Sequence, residues 1–579
     1  MVPPGSEVPI PPKPATDTAA VPRSDTIQPP FGRAVGTRTA DIGPQYEWNR
    51  EEIFASGALT LADLIERVPG MTAFRSGWLA SPKFAALNGD LNRVRVYYDG
   101  IEMDNLDPKG GALLDLNTIE IWALESVQME RFANELKIHL RTWRVERTEP
   151  YTRTDVFTGD EDTNIYRGFY GKRFGSGFGL QLAGQQYSTR AARLGGGGDA
   201  LSFMGRIGIA RRMWSIDAFA LRRGSSRALQ PTFSTTDGLS IPEYDGNHNL
   251  MYVRAGLGNP AGGPWAQLVA SHMRFSDRSP HITPAEAINS RLVADTTDTT
   301  TSRFQYIAAA GINRGALRVS VQDRLRAYEG ETYHTPAARL SIAGRIGVAN
   351  LYAESNQYTR STRADAIARF TPLPFLAVAA AYSFSEPYDS VALTAPPPWT
   401  AARLEAGIRL FNPWLIGGII TRDTAVLVGP VMVDTAYQSV RIGRRQGLYA
   451  GLRGTLYKDL NLDIVGTQWD SAGYYQPRYQ ARSEVNITTR WLSRFPSGNF
   501  GLKAAFVYDY RGRVFFPTAA GDRSTPASGI MSGLLEIRIL RGVASYQIRN
   551  IAGSNHQLFP DFFMPRAINI YGIRWDFWN

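Results

Sequence analysis

The chain has 579 residues, among them 55 glycines, 26 tyrosines and 12 tryptophans, and it contains no cysteine. That excludes a disulfide framework and a thiolate metal site, and the net charge of +10, spread along the chain rather than run together, argues against a nucleic-acid arm. Apolar runs such as FLAVAAAYSF at 375–384 fall far below the roughly 18 residues a membrane helix needs, so any crossing must be made by strands closed into a barrel.

Residues 1–47 hold VPPGSEVPIPPKPATDTAAVPRSDTIQPP, rich in proline and poor in large apolar side chains, which reads as an extended tether without a core. No positively charged start with an apolar stretch precedes it in this text. A secretory signal is therefore expected upstream or already removed.

Residues 48–146 read as a small mixed unit. In LTLADLIERVPG, Thr60 can cap a helix with Asp63 three residues on, Leu61, Leu64 and Ile65 recur at helical spacing, and Pro69-Gly70 forbids continuation. The period then changes. Val94, Val96 and Tyr98 alternate with Arg93, Arg95 and Tyr97 before an Asp99-Gly100 turn, as in a strand. A second helical piece is expected around Asn117 to Glu125, with strands near Val127–Phe132 and Leu136–Trp143.

From 147 to 579 one theme repeats: alternating segments of about ten residues, joined by links that are short and long in turn. In FGLKAAFVYDY, Phe500, Leu502, Phe506, Tyr508 and Tyr510 share a face; in ALRVSVQDRLRAY, Leu317, Val319, Val321 and Leu325 oppose five polar side chains. Tight links such as GSG at 175–177 and NP at 412–413 alternate with polar loops such as RAARLGGGGDA and RVFFPTAAGDRSTPASG. The count is about 22 strands, ending in INIYGIRWDFWN with Tyr571, Ile573, Trp575 and Phe577 on one face. Only YQSVRIGRRQGLYAGLRGTLY is open, as one long strand or two. The expected fold is an all-β transmembrane barrel with a small α+β plug in its lumen.

LTLADLIERVPGMTAF, LNGD, NRVRVYYDGIEMDN and IWALESVQMER together resemble the plug domain of TonB-dependent outer-membrane receptors, and the rest resembles their 22-stranded barrel. The resemblance spans about residues 48–579. It implies a bacterial outer-membrane transporter taking up a scarce solute: outer loops and plug apex bind the ligand, and a TonB-type energy-coupling protein pulls on the N-terminal segment. Two departures stand out. Where plugs of the family usually carry Arg-Gly-Pro and Tyr-Gly elements after the strand that here reads VQMER, this chain continues FANELKIHLRTWRV, so the plug is abbreviated. The only match to the TonB-contact segment is Asp25-Thr26-Ile27, followed by Gln28-Pro29-Pro30.

The resemblance implies ligand contacts on the plug loops, here Trp78, Asn88, Asp90 and Asn105. Lumen-side arginines, including Arg206, Arg254, Arg318, Arg324, Arg326, Arg441 and Arg453, either line a path for an anion or pair with plug carboxylates. The six histidines are scattered without metal-ligand spacing, so no metal or cofactor is expected, and no Ser/His/Asp grouping supports an enzyme. Expected partners are outer-membrane lipid and a TonB-type protein, with room for a surface lipoprotein capping the barrel. The alternative function is a non-transporting barrel that serves as a scaffold or docking partner in a surface assembly. Ligand identity and oligomeric state are not encoded in these patterns.

Overall fold

The computed structural model describes residues 38–107, 113–146, 148–191, 195–211, 213–231, 240–259, 262–278, 299–328, 330–387, 398–430, 437–519 and 521–578. Asp25, Thr26 and Ile27 lie outside the described residues.

Twenty-two antiparallel strands, from Tyr151–Gly159 to Ile568–Trp578, close into a barrel in which the last strand pairs with the first. The period of two sets the two faces. In the strand Thr163–Arg173, Thr163, Ile165, Phe169 and Arg173 are buried, while Tyr166 and Tyr170 are exposed. Leu182, Phe203, Val253 and Leu268 stand more than half exposed on the outer wall, as a lipid-facing surface requires. The closing strand follows this rule, with Tyr571, Ile573, Trp575 and Phe577 all exposed.

Links at 315–316, 374–375, 410–413, 458–459 and 540–541 are tight and lie at one end; links at the other end carry small sheets of their own, such as Val514–Thr518 with Gly521–Thr525. The trimmed end is periplasmic and the elaborated end faces outward. The open question at 437–457 resolves here. Val440–Ile442 belongs to an outer-loop hairpin with Ala425–Leu427, and Arg445–Tyr457 is a single wall strand. Arg441 is therefore an exposed loop residue, not a lumen arginine.

The lumen holds the plug. Its sheet runs β1 (Glu47–Asn49), β6 (Leu124–Arg131), β7 (Leu136–Thr142), β4 (Val94–Tyr98), β5 (Ile101–Glu102), with β7 and β4 parallel, and a separate hairpin joins β2 (Met71–Arg75) to β3 (Lys83–Leu87). The LTLADLIERVPG helix is shorter than its pattern, covering only α2 (Leu61–Ile65) with the Thr60/Asp63 capping box in place. After Ile65 the chain tightens to three-residue spacing, Arg67 N–H to Leu64 O and Val68 N–H to Ile65 O, before Gly70 takes φ +83. One helix was not expected. α1 (Arg50–Ala55) is started by an Asn49/Glu52 capping box, a signal present in the sequence as NREE. The second expected helical piece is two 3-10 turns, Leu116–Thr118 and Ile121–Ala123.

β6 and β7 are joined by a turn closed by Phe132 N–H to Glu135 O. The turn reaches the barrel wall directly: Arg131 pairs with Glu405, and Glu135 pairs with Arg363.

Candidate functional site

Plug and wall meet through buried ion pairs as well as through a shared apolar core, in which Val127, Met129 and Trp143 of the plug cluster with Phe169, Phe219 and Met273 of the wall. Arg95 on β4 holds Glu102 on β5 through Nε at 2.6 Å, and Glu102 also accepts from Arg324 and Arg326 of the wall. Arg95 reaches Glu354 of the wall as well. Asp99, at the β4–β5 turn, accepts from Tyr252 Oη at 2.7 Å and from Arg206 Nη2 at 3.3 Å. Several arginines expected in the lumen thus pair with plug carboxylates. Burial alone would raise the Glu102 carboxyl, but Arg95, Arg326 and Arg324 outweigh it and hold the group well below the ordinary range.

A strap precedes the plug. Arg38 donates to the carbonyls of Gly315 and Ala316 at a periplasmic turn, both at 2.9 Å, and Arg369 donates to Asp41 O at 2.7 Å. Further along, Ile42 packs with Ala377 and Ile416, and Arg453 donates to Pro44 O at 2.9 Å. The strap so runs across several wall strands before β1. Asp41 is its buried anchor, 3.0 Å from Arg131 of the plug and 3.5 Å from Arg403 of the wall. Burial would raise the Asp41 carboxyl, yet Arg131 and Arg403 hold it below its ordinary value.

The outer face of the plug is roofed. Phe74, Phe84, Ala86 and Leu91 of the plug pack with Ile241, Leu427, Tyr437, Tyr475, Phe516 and Phe559, which come from five outer loops, in one buried apolar cluster. Phe516 sits edge-on to Phe74, Tyr475, Tyr437 and Phe559, with ring centroids 5.4–5.6 Å away. Each such pair contributes about 0.5–1.5 kcal/mol beyond burial. To one side of this roof lies a cavity of about 170 Å³, between plug residues 103–107 and 113–119 and the outer ends of four wall strands. Asn105, Leu106 and Leu113 form its plug side, and Tyr187, Arg223 and Tyr244 its wall side. The floor is apolar and one edge is polar: Arg223 donates to Tyr187 Oη at 3.1 Å, and Tyr244 Oη lies 2.9 Å from His248 Nε2.

The four ligand-contact candidates do not gather around this cavity. Asn105 lines it, held in a turn in which its Nδ2 donates to Asp107 O and its Oδ1 accepts from Asp107 N–H. Trp78 is buried, and its indole donates to Thr163 Oγ1 at 2.8 Å. Asn88 is buried at φ +53. Asp90 is buried at the start of a 3-10 turn, accepting from Asn92 N–H and paired with Arg93. Tyr187, Arg223 and Tyr244 were not singled out from sequence; the available signal is their inward register at the outer ends of wall strands. Among the described residues, no group of three or more His, Asp or Glu side chains could hold a metal ion.

A globular plug pinned inside a 22-stranded barrel, with trimmed turns at one end and roofing loops at the other, is the architecture of a plugged outer-membrane barrel. Residues 43–136 match the family model described as TonB-dependent Receptor Plug Domain. No curated protein sequence matches the chain. Among solved structures it is similar to the siderophore receptor PirA from Acinetobacter baumannii, at 10% identity, TM-score 0.68, covering 92% of this chain and 98% of that one. A variant of the ferric enterobactin receptor PfeA from Pseudomonas aeruginosa matches at 11% identity and TM-score 0.70, covering 94% and 100%. The FrpB iron transporter from Neisseria meningitidis matches at 9% identity and TM-score 0.68, covering 92% and 99%. The chain therefore carries the plug domain and has the fold of the TonB-dependent receptors.

Proposed function

We propose that this protein imports a scarce solute across the outer membrane, driven by a TonB-type protein that pulls on residues 1–37. The observation that carries this reading is the strap. It connects the tether to the plug through one buried anion, Asp41, shared by plug Arg131 and wall Arg403. A pull that draws Asp41 out leaves two guanidiniums around Glu405, so the same displacement that loads the plug also weakens its seat. Asp25, Thr26 and Ile27 would be the contact gripped by the partner, through strand addition.

The cavity at Asn105 is the proposed ligand entry, and Trp78, Asn88 and Asp90 come within reach of a ligand once the outer loops lift. The structural neighbours are named for siderophores and iron, so ferric siderophores are the first solutes to test. Deleting residues 1–37 is expected to abolish uptake while leaving binding intact, as measured with a labelled ferric siderophore on whole cells and on purified protein. Unchanged uptake would sink the transport mechanism and favour the docking-barrel alternative, for which the closed roof over the plug is the supporting feature.

Asp41→Asn tests the strap directly. The loss of charge-assisted hydrogen bonds is expected to cost about 1.5–3 kcal/mol, speeding amide exchange in β6 and β7 about ten- to a hundredfold. The sign with pH follows from the depressed carboxyl: the contribution is complete above about pH 4 and is lost as pH falls through the lower folded value. Exchange in β6 unmoved by the substitution would show that the strap does not anchor the plug.

A further inference from the structure

Arg422 ends a wall strand just beneath the outer loops, directly across from Arg445 on the neighbouring strand. Its side chain is 1% exposed, yet among the described residues none of its three guanidinium nitrogens has a hydrogen-bond partner. Beside it, Gln476 is also 1% exposed; its Oε1 accepts from Arg445 Nη1 at 3.3 Å while its Nε2 has no partner. The carboxylates that act on Arg422 are already engaged. Asp90 holds Arg93 Nε at 2.8 Å and the Asn92 N–H at 3.0 Å, and Asp470 takes Arg445 Nε at 3.2 Å and the Ser471 N–H at 2.8 Å.

The unmet groups of Arg422 and Gln476 are all donors; the one unmet acceptor of the neighbouring plug loop, Asn88 Oδ1, lies against Gly70. Like charges directly opposed across two strands repel, and a buried guanidinium without an acceptor is costly enough that structures rarely keep one. The cluster of Arg93, Arg422, Arg445, Asp90 and Asp470 is short by one negative charge. The missing charge belongs where Arg422 and the Gln476 amide have no acceptor. Trp469 walls the place, with the Arg422 and Arg445 guanidiniums 5.9 and 5.7 Å from its ring.

We propose that Arg422 and the Gln476 amide, with Arg445 adding positive charge beside them, form a binding site for a small oxyanion, inorganic or the carboxylate of a larger ligand, in the seam between plug loop 88–93 and the barrel wall. The planar fork of Arg422 suits two oxygens of one group, and the Gln476 amide a third acceptor. The site is separate from the cavity at Asn105 and does not depend on the uptake reading. It also gives plug loop 88–93 a reason to lie against the wall here, because the anion neutralises a repulsion that would otherwise push the strand ends apart.

The test uses the full chain crystallised in selenate, with data collected at the selenium edge. An anomalous peak within hydrogen-bonding distance of Arg422 is expected, and soaking with excess phosphate should remove it. Competition by acetate as well would assign the site to carboxylates in addition to inorganic oxyanions; either pattern supports an oxyanion site. In solution, phosphate should raise the melting temperature of the wild type by several degrees and that of Arg422→Gln by none. An empty site at saturating selenate in a well-folded crystal, or equal phosphate shifts for wild type and Arg422→Gln, would overturn the proposal.

Discussion

Glu102→Gln is expected to unseat the plug. The substitution keeps the side chain's volume but removes the anion shared by Arg95, Arg324 and Arg326, leaving three buried guanidiniums with Glu354, Glu135 and Asp104 as their remaining counter-charges. Removing one member of a buried charge cluster costs about 3–5 kcal/mol, because the partners stay desolvated. The barrel wall keeps every strand pair, so the loss should fall on the plug alone. In planar bilayers the wild type should stay closed, whereas Glu102→Gln should show openings of a wide barrel; hydrogen exchange in β4 and β5 should rise more than a hundredfold. The pH dependence has a definite sign. Since the folded Glu102 carboxyl lies well below its ordinary value, its stabilisation is fully present above about pH 4.5 and is lost only as pH falls through that depressed value. Wild-type conductance should accordingly stay flat from pH 8 to pH 5 and rise under stronger acid. A Glu102→Gln protein that remains closed, with wild-type exchange in β4, would show that the cluster does not hold the plug.

The barrel was legible in the sequence because each wall strand repeats one local rule: Phe506 and Tyr571 face lipid as Lys503 and Arg574 face the lumen, two residues per period. The plug's strands were legible for the same reason. Helix length was not, since Arg67 and Val68 fit the α2 pattern but take three-residue spacing ahead of Pro69. The ion pairs were out of reach of sequence reasoning, because Glu102 and Arg324 lie far apart along the chain and nothing local marks them as partners. The candidate site was the least legible part. An aspartate that starts a 3-10 turn, as Asp90 does, looks in sequence like one that binds a ligand. Loop aromatics such as Tyr437, Tyr475, Phe516 and Phe559 lie in four separate loops that nothing local marks as neighbours, yet together they build the roof.

That roof is tested most directly at Phe516, and Phe516→Ala is expected to open it. The ring is 0% exposed and touches four other aromatic rings, so truncation should cost about 3–5 kcal/mol through lost burial and the cavity left behind. The contacts join outer loops to Phe74 of the plug, not wall strand to wall strand. The destabilisation should therefore appear as loop opening while the barrel itself melts as before. A reporter is available because the chain has no cysteine. Ala86→Cys places one thiol on the plug beneath the roof, at a position 0% exposed. A membrane-impermeant maleimide added from outside should label it at least a hundredfold faster when Phe516→Ala is also present. As a control, Leu268→Ala on the lipid face should leave the labelling rate unchanged. If the roof gates ligand entry, Phe516→Ala should also speed both association and dissociation of a bound siderophore, since the loops no longer close over it. Labelling that stays slow would mean that the loops are held by the wall rather than by their packing on the plug, and that a ligand must enter along the side cavity at Asn105 with the roof shut.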